Sequence, residues 1–137
     1  MRKLQLALCL LALSVVSLVA LSCGTSSQGS AGQLQSITLT PAMADAQDYP
    51  DGAVPFVATG IYANPPNKVT PLTALWGVCQ KGLPTTFASV STAGVATCGS
   101  GSVGAYEVFA YKPTNCNVVN LCGGGCTVEG TAQLSCP

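Results

Sequence analysis

Eight cysteines hold most of the reactive chemistry in this 137-residue chain: Cys9, Cys23, Cys79, Cys98, Cys116, Cys122, Cys126 and Cys136. A thiol can pair with another, ligate a soft metal, act as a nucleophile or accept a lipid; spacing and neighbours decide which. Cys116, Cys122, Cys126 and Cys136 are separated by five, three and nine residues. As a thiolate quartet they lack the C-x-x-C knuckles of most structural zinc sites, and no C-x-x-C redox pair occurs anywhere. The chain also has no histidine. That removes imidazole acid–base catalysis, Ser-His and Cys-His nucleophiles, and most zinc and non-haem iron centres. The expectation is no catalytic residue, no metal and no cofactor.

Other constellations are weaker. Asp45, Asp48 and Asp51 recur every third residue and could ligate calcium, but they match no EF-hand pattern. Gly123-Gly124-Gly125 is glycine-rich like a phosphate loop, yet no Lys-Ser/Thr follows it. Glu107 and Glu129 are the nearest approach to a carboxylate dyad, with solvated surface as the plain alternative. Tyr49, Tyr62, Tyr106 and Tyr111 could present an aromatic sugar-binding face, although Tyr62 and Tyr106 fall at core positions of expected strands.

The elements that would place these residues begin with the leader. Arg2 and Lys3 precede an almost wholly apolar run from Leu4 to Leu21. A basic start, an apolar middle and small residues before a cut describe an export signal. Ala20-Leu21-Ser22-Cys23 resembles a bacterial lipobox, with Ala20 in place of the usual Leu. The resemblance implies cleavage before Cys23 and acylation of that cysteine. Ordinary cleavage after Ser22, or retention of residues 4–22 as a membrane span, are the alternatives. Cysteine parity favours the lipobox. Cys9 leaves with the leader, seven cysteines remain, and acylating Cys23 leaves an even six. One acyl chain binds a bilayer only marginally. A mature lipoprotein of this kind carries two or three, so the implied anchor is firm. Gly24, by resemblance to Gram-negative sorting signals, implies the outer membrane of a bacterial cell envelope.

Removing residues 1–22 leaves 115, enough for one domain and a tether. Lys68, Lys81 and Lys112 face Asp45, Asp48, Asp51, Glu107 and Glu129, for a net charge of −2. No basic patch exists, which excludes nucleic acid as a partner. Residues 23–35, polar and rich in Gly and Ser, read as a flexible linker.

From Ser36 onward the pattern is β. Residues 36–41 alternate, with Ile37 and Leu39 facing inward, and stop at Pro41. Asp51-Gly52 marks a turn. Residues 54–62 place Phe56, Ala58, Gly60 and Tyr62 on one face, with Pro55 confined to a strand start or an edge. Residues 73–79 carry Trp76, expected at the centre of the core. Short strands follow at 87–90 and 94–98. The stretch 104–111 alternates cleanly, with Tyr106, Val108 and Ala110 inward. A Cys- and Gly-rich segment over 114–129 precedes a last strand at 130–136. About seven short strands with turn signals at this spacing predict an all-β sandwich over 36–137.

The ordered stretches SITLTPA, PFVATGIYAN, LTALWGV, FASVSTAGVAT and GAYEVFAY resemble the bacterial immunoglobulin-like domain of group 2, known from intimin- and invasin-type surface proteins. The resemblance covers about residues 34–111 and implies an immunoglobulin-like β-sandwich without catalytic residues. Two departures stand out: the link between Trp76 and Phe87, which carries Cys79, and the enlarged segment from Pro113 to Gly130.

Exported and even in number, Cys79, Cys98, Cys116, Cys122, Cys126 and Cys136 are expected to form three disulfides. Cys79 with Cys98 is the expected pair, because the strands bearing them should end close together; the other four would then close 114–136 internally. The expected function is non-enzymatic: a module held to the membrane by lipid on Cys23, serving adhesion or envelope structure through a protein or glycan partner. The alternative is a carbohydrate or small-ligand module that uses the 114–129 loop.

Overall fold

The structure is a computed structural model and describes residues 32–65, 67–113, 122 and 126–137. The leader, Cys23, the linker before Gly32 and Cys116 lie outside the described residues. Within them the chain is all-β and sandwich-like, with eleven short strands.

β1 (Leu34–Thr40) pairs antiparallel with β4 (Val57–Tyr62). It begins two residues earlier than expected, so Leu34 and Gln35 belong to the strand and not to the linker. A register shift between Leu34 and Ser36 returns Leu34 to the inner face, where it is buried with Ile37 and Leu39. After the cis Thr40–Pro41 peptide the chain crosses to the second layer. There β2 (Met43–Asp45) runs parallel to β11 (Glu129–Cys136). A 3-10 turn over Ala46–Asp48, then a turn in which Asp51 and Gly52 both have positive φ, lead to β3 (Ala53–Pro55).

β3 and β4 are the two halves of the stretch expected as one strand. They part at Phe56, whose N–H donates to the Gly94 carbonyl at 2.9 Å. β4 continues into a pairing with β5 (Lys68–Val69). β3 pairs with β9 (Val95–Cys98), and β9 with β8 (Ala88–Val90). These two three-stranded sheets make one layer. The other is a five-stranded sheet in the order β2-β11-β10-β6-β7, where β6 is Leu75–Gln80, β7 is Leu83–Pro84 and β10 is Gly104–Tyr111. β1 packs on β11, and β8 on β6.

The alternating strands fill the space between layers. Val54, Phe56 and Ala58 from one side meet Tyr106, Val108, Ala110 and Leu134 from the other. Full burial of a large apolar side chain contributes roughly 1.5–3 kcal/mol each. Trp76 is not at the centre. It is half-buried at the margin of this cluster, and the smaller Phe56, Tyr106 and Leu134 take the middle. The reason is the β8–β9 turn. Ser91 Oγ accepts from the N–H groups of Ala93 and Val95 at 3.3 and 3.1 Å, and Gly94 then brings its backbone against the indole ring.

Gly94 has φ +80°, and a Cβ there would sit 2.5 Å from the Phe56 carbonyl oxygen and 2.7 Å from Trp76 Cζ2. Gly101 has φ +75° and open space around it. Gly101→Ala should therefore cost only the backbone term, about 1–2 kcal/mol. Gly94→Ala adds a backbone clash and should cost at least about twice as much. Urea unfolding of the two variants measures the difference, and equal midpoints would contradict the close approach.

Candidate functional site

Tyr106, Val108 and Ala110 point inward from β10, as its alternation requires. The same strand's outer face is also dry at one end. Phe109 and Tyr111 are buried on that side, their rings stacked with centroids 5.9 Å apart. On the neighbouring β6, Gly77 lies opposite Phe109, and a Cβ at Gly77 would collide with its ring. Cys79, opposite Glu107 on the same face, is 1% exposed. Cys122 and Cys126 pack on this group and complete a second small apolar cluster.

The cover is covalent. Cys79 is bonded to Cys122, with Cα atoms 5.7 Å apart. The segment that leaves β10 at the Tyr111 end is thus fastened beside Glu107, four residues back along the strand, or about 13 Å. The Cys122 carbonyl also approaches the turn at Gly82. The remainder of 114–129 lies largely outside the described residues.

A second bridge joins Cys98 to Cys136. Cys98 shares the inward face of β9 with Ala96, and Cys136 that of β11 with Leu134, so this bond ties one layer to the other. The expected Cys79–Cys98 pair is therefore wrong, as is internal closure of 114–136. Cys79 and Cys98 are in different sheets, and Cys79 faces outward while Cys98 faces inward. Cys126 is also disulfide-bonded. Cys122 and Cys136 belong to different bridges, which rules out the thiolate quartet.

The other candidates are scattered. Asp45 accepts from the Gln47 N–H at 3.0 Å and caps the 3-10 turn. It shares a shallow cleft with Asp48 and Tyr49, while Asp51 serves the next turn. Glu107 pairs with Gln133 and Glu129 with Tyr111, which separates the two carboxylates by about 13 Å along the sheet. The four tyrosines do not share a face. Tyr106 is in the main core, Tyr111 in the outer cluster, and Tyr49 and Tyr62 pack on the margin of the main core. Above the covered cluster the outer face is a shallow trough of about 380 Å³, lined by Met43, Lys81, Ala105, Glu107, Thr131 and Gln133.

Sequence reasoning missed the burial of Phe109 and Tyr111 on the outer face, having named Tyr111 only as part of an aromatic binding face. The signal was present: Val108-Phe109-Ala110-Tyr111 is a continuous apolar run, which marks a strand buried on both faces. No protein-family model matches the chain, and no curated protein matches it.

Peptide mapping without reduction should recover Cys79 joined to Cys122 and Cys98 joined to Cys136; a Cys79–Cys98 peptide would contradict the outward placement of Cys79. The Cys79–Cys122 ring spans 43 residues, for which chain entropy gives at most about 4 kcal/mol. Joint replacement of both by Ser should lower the melting temperature by roughly 10–30 °C and increase binding of an apolar dye to the uncovered Phe109 and Tyr111.

Proposed function

We propose that this chain is an envelope lipoprotein, anchored by acyl chains on Cys23, whose β domain works by contact and not by catalysis. The single observation that carries the proposal is the leader that stops abruptly at Cys23, with an odd cysteine otherwise left over. Two disulfides in the described domain support an oxidising compartment. The domain is proposed to be immunoglobulin-like. Support comes from the chain's crossing between layers after β1 at Pro41, the parallel pairing of β2 with the last strand β11, and the β11-β10-β6 order of the larger sheet. Its role is adhesion or envelope architecture, through a protein or glycan partner.

A second reading, a carbohydrate or small-ligand module using the 114–129 loop, is favoured by one observation. That loop is fastened at Cys122 and held against the sheet, as a binding edge needs to be. Against it, the aromatic residues nearest the loop are buried beneath it.

In a bacterial host the wild-type protein should incorporate labelled palmitate and fractionate with the outer membrane. Cys23→Ala should lose the label and leave the membrane. Intact mass should place the mature N-terminus at Cys23 and rise by two hydrogens for each bridge on reduction. A mature form with an unmodified Cys23, or with the six later cysteines reduced, would overturn the proposal.

A further inference from the structure

On the other side of β6 from the fastened loop, a cleft of about 290 Å³ opens between the two layers. Its floor is apolar and buried: Phe56, Ala58 and Leu72. Trp76 forms a wall, and exposed Thr73 and Thr92 stand at the rim. No charged side chain lines it.

We propose that this cleft binds a single neutral sugar ring. The argument is one of chemistry and size. A charged ligand would lose water there and gain no partner, which is costly. The volume is at the low end for ligand sites, so it suits one ring and not a chain of them. An indole wall offers a negative ring face to the slightly positive C–H face of a pyranose, while rim hydroxyls can exchange hydrogen bonds with ring hydroxyls. A purely apolar guest would leave the two threonines unused.

The cleft is also built in advance. Trp76 is held on one side by the Gly94 backbone, and Gly94 is itself tied to Phe56 by the 2.9 Å hydrogen bond. The indole therefore needs no ordering when the ligand arrives, which removes a cost of binding. It also explains why the largest aromatic residue stands at the margin. Buried centrally it would add stability; at the margin it leaves part of its surface open to the cleft. The site rests neither on the lipid anchor nor on the 114–129 loop, so failure of either leaves its test intact.

Trp76 is the only tryptophan in the chain, so tryptophan emission reports the cleft directly. The mature protein, in a detergent without a sugar head group, is titrated separately with methyl β-glucoside, methyl β-galactoside and N-acetylglucosamine. At least one should give a saturable change, with a dissociation constant on the order of millimolar, as expected for a ligand of about a dozen non-hydrogen atoms. Ala93→Arg places a long side chain across the rim at an exposed turn position and should weaken binding about tenfold or more, with circular dichroism and melting temperature unchanged. Thr92→Val should weaken it less. Gln133→Ala, in the trough on the outer face, should leave it as it was. No saturable change with any of the three sugars would overturn the proposal. So would a response that survives Ala93→Arg in the folded protein.

Discussion

β10 is buried on both of its faces over its second half, and much else follows from that. An antiparallel sheet in a sandwich needs only one dry face. Here Val108 and Ala110 fill the space between layers while Phe109 and Tyr111 lie on the outside. Two aromatic side chains left in water would form an exposed apolar patch. The segment after β10 is long enough to cover them but is rich in Gly and Asn and has little core of its own. A covalent tie compensates for that lack: bonded to Cys79 beside Glu107, Cys122 is held against the group that contains Phe109 and Tyr111.

The two bridges thus act on different levels of the structure. Cys98–Cys136 joins layers whose facing side chains are small, many of them alanines, at the end remote from Tyr111. Cys79–Cys122 fastens Cys122 to the outer face of one sheet, against the cluster of Phe109 and Tyr111. Between these ends, Gly94 sets the separation of the β8–β9 turn from β6 and so decides where the tryptophan can sit. Packing in this small domain relies on backbone approach as much as on large side chains.

The main strands were legible because alternation was strong and punctuation clear. Gly104–Tyr111 was bounded correctly to the residue, between a glycine and a proline, and Ile37 and Leu39 were placed inward as found. β2, β5 and β7 were not legible, since two or three residues carry no period. The disulfide pairing failed for a different reason. Chain order suggested which strand ends are near each other, but a bridge also requires that the two side chains point into the same space. Cys79 lies on the face of Gly77, opposite to that of Trp76, and Cys98 on the face of Ala96. Trp76 was misplaced because a residue's size predicts a preference for burial, while a turn's backbone decides whether room remains.

The order of the bonded cysteines has one further consequence. Cys79 pairs beyond Cys98, and Cys98 pairs beyond Cys122, so the two covalent rings interlock along the chain. A single peptide-bond cut anywhere between Cys79 and Cys136 leaves every piece attached to the rest. A protease that nicks this domain once between those cysteines therefore does not divide it, and the cut protein remains one molecule until the bridges are reduced.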